Sequence, residues 1–169
     1  MENKTSFQGA VIPLAGKFAV AGECAPEFSL VKGDLSNFTL ADNRGGKLLL
    51  NIFPSIDTEV CSLSVRKFNE RAAALEGVRV LCISKDLPFA QTRFCAAEGI
   101  ENVMTLSDFR DSRFGEAYGV LMTGGPLAGL LARAVVVIDG NGKIAYSQLV
   151  PDIVQEPDYD RALAALAAC

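Results

Sequence analysis

The chain has 169 residues, 50% hydrophobic and 21% charged, proportions that suit one domain over residues 1–169 with a packed core. Its net charge of −4 favours neither nucleic acid nor an anionic membrane as partner, and the absence of histidine removes Cys-His and Ser-His nucleophiles along with histidine metal sites. The five cysteines, Cys24, Cys61, Cys82, Cys95 and Cys169, are odd in number and lack C-x-x-C spacing, which argues against a secreted disulfide framework or a structural metal and fits a reducing cytoplasm.

The segment Met1 to Phe7 has no apolar h-region, so no secretory signal is expected. The longest apolar region, Pro126 to Ile138, is broken by Arg133 and is too short to span a bilayer. Loose alternation over residues 5–20, with breaks at Gly9, Pro13 and Gly16, predicts a small β-hairpin. Phe28-Ser29-Leu30 and Phe38-Thr39-Leu40 read as short strands, and Asp42 to Gly46 as a turn.

The run Leu48 to Phe53 reads as a buried strand that Pro54 ends. Asp57 or Thr58 can cap the helix that follows, whose apolar face is Cys61, Val65, Phe68, Ala72 and Leu75, with Gly77 closing it. Cys61 falls in the first turn, beside free backbone N–H groups and the positive end of the helix dipole, where a thiolate is favoured. A cysteine on an apolar helix face is more often a small buried hydrophobe, so position alone does not make it reactive.

Val78 to Ser84 is the next strand, with Cys82 as an inert buried thiol. Asp86 to Glu98 is a second helix with Pro88 near its start, Gly99 at its stop and an apolar stripe of Ala90, Phe94 and Ala97. Cys95 lies about 100° from Phe94, near the solvent boundary. A strand over Val103 to Leu106, a short helix over Asp111 to Tyr118, a buried strand over Ala134 to Ile138 and a hairpin back through Lys143 to Ser147 follow. A last helix opens at Pro157 and runs through Leu163 and Leu166. This order predicts an α/β sheet covered by helices on both faces.

The spacing Pro54-x-x-x-Thr58-x-x-Cys61 resembles the peroxiredoxin family, whose peroxide-attacking cysteine occupies that last position. Ser55 to Cys61, followed by Ser64-Val65-Arg66-x-Phe68-Asn69, resembles its thiol peroxidase branch, as do Arg93 to Gly99, Phe114-Gly115-x-x-Tyr118-Gly119-Val120, Gly125 to Leu130 and Glu156 to Tyr159. The resemblance covers nearly the whole chain. It implies a thioredoxin-like fold with a central mixed sheet and an N-terminal β-hairpin extension. It also implies a homodimer that reduces hydrogen peroxide and organic hydroperoxides, with thioredoxin as reductant and no cofactor.

Cys61 is then the peroxidatic thiol, with Pro54, Thr58 and Arg133 around the peroxide and Cys95 as resolving partner in a Cys61–Cys95 disulfide. Cys24, in a loop, and Cys169, at the terminus, compete with Cys95 for that role. Taken alone, Thr58 reads as a plain cap and Arg133 as a strand-end residue. A thioredoxin-like redox or binding module without peroxidase turnover is the alternative.

Lowering a cysteine pKa from about 8.5 to about 6 raises the thiolate fraction at pH 7 roughly thirtyfold. Nucleophilicity falls with a Brønsted slope of about 0.4–0.5, which cancels most of that gain. A fast peroxidase therefore needs groups that hold the peroxide and stabilise the departing oxygen. Thr58 and Arg133 are the residues placed to do this.

Overall fold

A computed structural model describes residues 2–169, so Met1 lies outside it. Strand β1 (Lys4–Phe7) and strand β2 (Ala10–Pro13) form the expected hairpin, shorter than the predicted span and turned through Gln8 and Gly9, both with positive φ. Strands β3 (Ser29–Val31) and β4 (Asn37–Thr39) follow, and a single 3-10 turn over Leu40–Asn43 replaces part of the predicted turn.

The centre is β5 (Lys47–Ile52), parallel to β6 (Val78–Ser84) and antiparallel to β8 (Ala134–Ile138). Strand β7 (Met104–Ser107) runs parallel to β6, and β9 (Ile144–Leu149) returns antiparallel to β8. The order is β4-β3-β7-β6-β5-β8-β9, a mixed sheet of seven strands. Leu48 to Ile52 is buried at every position because both faces of β5 are covered, which explains an apolar run without alternation.

Helices α1 (Glu59–Ala72), α2 (Pro88–Glu98) and α4 (Tyr159–Ala168) contribute to one core with Leu49, Val80, Cys82, Val135 and Val137. Helix α3 (Arg113–Ala117) and much of the N-terminal segment build the opposite core on Leu48, Leu50, Ile52, Leu81 and Val136. The period of two along the strands separates these cores.

Four local expectations change. Helix α1 ends at Ala72, so Leu75 joins the core from a turn, and Gly77 lies beyond the helix. Neither Asp57 nor Thr58 caps α1 by its side chain, although Thr58 occupies the N-cap position. Helix α2 starts at Pro88 and not Asp86, since the proline ring fits the first helical turn and biases Leu87 to extended backbone. Its buried positions are Pro88 and Gln91, with Phe94 and Cys95 half-buried and Ala97 exposed. Gly99 closes α2 as expected, in the left-handed conformation that glycine adopts without cost.

Candidate active site

The loop from β5 to α1 carries the site. Pro54 stops the strand and is buried, and the loop turns back so that Thr58 N–H and its Oγ1 both donate to Ser55 O, at 3.2 and 2.9 Å. The Thr58 hydroxyl keeps its lone pairs, and the residue is exposed. Among the described residues no acceptor takes the N–H groups of Glu59, Val60 or Cys61; Ser62 N–H makes the first bond of the helix, to Thr58 O at 2.9 Å. The N-terminus of α1 thus presents unused donors beside Cys61.

Cys61 is completely buried, packed with Phe53, Ile56, Val65 and Phe68. Arg133, one residue before β8, reaches it from the strand paired with the C-terminal end of β5. It is 2% exposed, so the strand-end reading gives way to a buried cation. Its Nη2 donates to Cys61 Sγ at 3.2 Å, and its Nε donates to Ile153 O at 2.8 Å. Nη1 has no partner, and among the described residues no carboxylate forms a salt bridge to this guanidinium. Glu156 feels its charge, but that carboxyl is held below the usual range first by the Lys67 ammonium, to which it bonds. A buried guanidinium bonded only to a carbonyl and a sulfur calls for an anion on the sulfur side.

Arg133 also borders a cavity of about 210 Å³ that the buried Cys61 does not itself line. Pro54, Thr58 and Arg133 line it together with apolar walls that include Phe7, Val60, Leu127 and Leu130. Of the predicted quartet, Pro54, Thr58 and Arg133 meet at this cavity, and Cys61 is joined to it through the Arg133 guanidinium. A larger groove of about 450 Å³ runs between Cys24 and the Asp139–Gly142 turn, and no residue of the quartet reaches it.

Cys95 stands apart. It sits half-buried in the last turn of α2, and burial pushes its thiol up while the Thr105 hydroxyl pulls it down. Cys61 and Cys95 belong to the same core cluster but are both free thiols with different partners. Cys82 lies in the same cluster on β6, and burial drives it up to about 12 against a weak bond from Asn51. Cys24 and Cys169 are exposed.

Asp86 lies outside α2 and serves the site instead, a role the sequence does not show. Its carboxylate accepts from Ile56 N–H at 2.7 Å and from Ser55 Oγ at 2.8 Å, fixing the loop that shapes the site. An acid two residues before a proline carries an N-cap signal, and nothing local shows that it reaches across to another loop. Ser64 enters the sequence reading only as part of the family motif; its hydroxyl donates to Cys61 O at 2.7 Å and accepts from Asn51 Nδ2 at 3.2 Å.

The Redoxin family model matches residues 20–163. A thiol peroxidase of Corynebacterium glutamicum is 59% identical over 163 residues, 96% of this chain and 98% of that protein. The thiol peroxidase of Mycobacterium tuberculosis is 58% identical over the same shares of both chains. The crystal structure of a peroxiredoxin-like protein from Aquifex aeolicus superposes with a TM-score of 0.94 at 43% identity, covering 99% of this chain and 98% of that one. The expected thioredoxin-like architecture is thus met across the whole sheet, with the hairpin as its N-terminal extension. The chain belongs to the Redoxin family, on its thiol peroxidase branch.

Proposed function

We propose that the chain reduces hydroperoxides at Cys61, resolves the product with Cys95 and is restored by thioredoxin. The observation that carries this reading is the buried Arg133, which donates one N–H to Cys61 Sγ, leaves Nη1 without a partner and lines a cavity together with Thr58.

The Cys61 thiolate attacks the terminal oxygen of the hydroperoxide and the O–O bond breaks. The departing oxygen takes a proton and leaves as alcohol, or as water from hydrogen peroxide, and the sulfur becomes a sulfenic acid. Arg133 and the Thr58 hydroxyl are placed to hold the peroxide and the charge growing on the leaving oxygen. The cavity's apolar walls suit an alkyl group and so favour organic hydroperoxides alongside hydrogen peroxide.

The Cys95 thiolate then attacks the sulfenic sulfur, forming a disulfide as the oxygen leaves as water. The two thiols lie on helices packed over different strands, so the bond requires local opening. Reduced thioredoxin exchanges its dithiol for the disulfide, and the enzyme works as a cytoplasmic homodimer. A redox or binding module without turnover has no use for a buried cation held on the thiol.

Purified protein supplied with thioredoxin, its reductase and NADPH should consume an alkyl hydroperoxide continuously. Cys61→Ser should keep the fold and lose this activity, because a hydroxyl is a far weaker nucleophile. Substantial turnover by that variant would overturn the assignment.

A further inference from the structure

Two bonds aim the Arg133 guanidinium. Nη2 donates to Cys61 Sγ and Nε donates to Ile153 O. The sulfur changes as it reacts, so the carbonyl is the fixed point of the fork. Ile153 belongs to neither strand nor helix, since β9 ends at Leu149 and α4 begins at Tyr159. Whatever places its carbonyl comes from another part of the chain.

The N-terminal hairpin supplies it. Ile153 N–H donates to Ser6 O at 2.9 Å and Ser6 N–H donates to Pro151 O at 3.1 Å, an isolated parallel bridge between Ser6 and Asp152. The buried Thr5 hydroxyl donates to Val150 O at 2.9 Å. Asp152 completes the grip. Its Oδ2 accepts from Ser6 Oγ at 2.8 Å and from Gly9 N–H at 2.9 Å. Its Oδ1 accepts from the N–H groups of Gln8 and Val154, both at 3.2 Å. Gln8 and Gly9 have φ of 51° and 84°, left-handed backbone that turns two successive N–H groups onto the one carboxylate. Asp152 and Val154 flank Ile153, so this carboxylate ties both sides of the Ile153 carbonyl to the hairpin tip. On the other strand, Pro13 O accepts from Thr123 N–H at 2.9 Å, shortly before Leu127 and Leu130. The hairpin therefore spans the cavity, holding one wall by β1 and the other by β2, with Phe7 between them.

We propose that Asp152 and Ser6 are positioning residues for Arg133, and that the hairpin is part of the active site because it holds the Ile153 carbonyl against Nε. A hairpin that only covered the core would hold by Ile12 and Leu14, which are buried there, and its tip would need no carboxylate from the turn beside Arg133. A small shift of that turn rotates the fork while the cation keeps its charge. Such misplacement costs rate even where every reacting group is present.

The proposal rests on the peroxidase reading above, but one of its two readouts does not. That readout is solvent exchange of the Arg133 Nε–H in the reduced protein, followed by NMR without any peroxide. Asp152→Asn sets an amide among backbone donors and should speed this exchange about two- to tenfold, the range that one net hydrogen bond commands. The second readout is the rate constant for an alkyl hydroperoxide, divided by the thiolate fraction titrated on the same sample. It should fall by a similar factor. Ser6→Ala removes one donor to Asp152 and should move both readouts the same way by less. In an Arg133→Lys background, whose ammonium has no fork to orient, Asp152→Asn should lower the rate no further. If Asp152→Asn does not fold, Ser6→Ala decides in both backgrounds. Unchanged Nε–H exchange, an unchanged rate per thiolate, or an equal loss in both backgrounds would overturn the proposal and reduce Asp152 to an anchor of the hairpin. Faster exchange in a protein that consumes no hydroperoxide would uphold the positioning of Arg133 and fail the peroxidase reading alone.

Discussion

Single atoms separate the five cysteines. Cys61 alone has a guanidinium nitrogen on its sulfur, and that nitrogen belongs to a side chain whose Nη1 is still free. A cation that served only to ionise the thiol would be replaceable by another cation. A planar fork that holds sulfur and peroxide oxygen together is not replaceable by the single ammonium of lysine. Arg133→Lys should therefore lower the rate constant for peroxide about a hundredfold, the loss expected when a charge-stabilising donor is removed. Titrating the thiol in the same variant separates the causes: a rate loss fully accounted for by thiolate fraction would reduce Arg133 to a tuner of ionisation. Cys82 shows the opposite environment, with its thiol driven up to about 12 by complete burial. Its thiolate is negligible at pH 8, so brief iodoacetamide treatment of the native protein should label Cys24 and Cys169 and leave Cys82 unmodified. Rapid labelling of Cys82, read by peptide mass spectrometry, would contradict this.

Elements place those atoms, and their legibility in the sequence varied for physical reasons. Strand β8 occupies Ala134–Ile138 as read, because five consecutive apolar residues can only be buried. The α1 face was legible as far as Ala72, where packing periodicity and helix coincide. The apolar stripe of α2 was not, because its inward position is an amide bonded to Ser84 and Leu106, and no periodicity of apolar residues reports that. The β1–β2 hairpin was read from its breaks, but its anchor was invisible. Asp152, from the loop before α4, accepts from Ser6 Oγ and from the N–H groups of Gln8, Gly9 and Val154. The Gly9 N–H first, and then the Ser6 hydroxyl, bring its carboxyl down to about 2. A carboxyl depressed from an unfolded value of about 3.9 stabilises the fold fully above that value and loses its contribution as pH falls toward the folded value. Asp152→Asn should be less stable than the parent above pH 5, and the gap in denaturant midpoint should close as pH falls to about 2. A gap independent of pH would mean that the carboxylate charge does not hold the hairpin.

Across the whole molecule, the mixed sheet sets the chemistry by bringing distant segments to one edge of β5. The strand delivers Pro54 and α1 at its C-terminal end, and antiparallel β8 begins there, so Arg133 at its start lies beside the first turn of α1. Residues 72 positions apart therefore meet because Ile52 pairs with Ala134. Sequence patterning identified the strands and the family resemblance identified the partners, but the pairing that joins them is a property of the assembled sheet. Cys95 arrives differently, on a helix over β7, and shares a core with Cys61. On the proposed chemistry Cys61 takes the oxygen and Cys95 closes the disulfide. Reduced protein treated with one equivalent of hydroperoxide, digested without reductant and mapped by mass spectrometry, tests it directly. The expected product is one intramolecular disulfide linking the Cys61 and Cys95 peptides, with Cys82 still a free thiol. A dominant Cys61–Cys24 or Cys61–Cys169 link would rule out Cys95 as the resolving thiol, and oxidation that leaves Cys61 reduced would rule out Cys61 as the peroxidatic one.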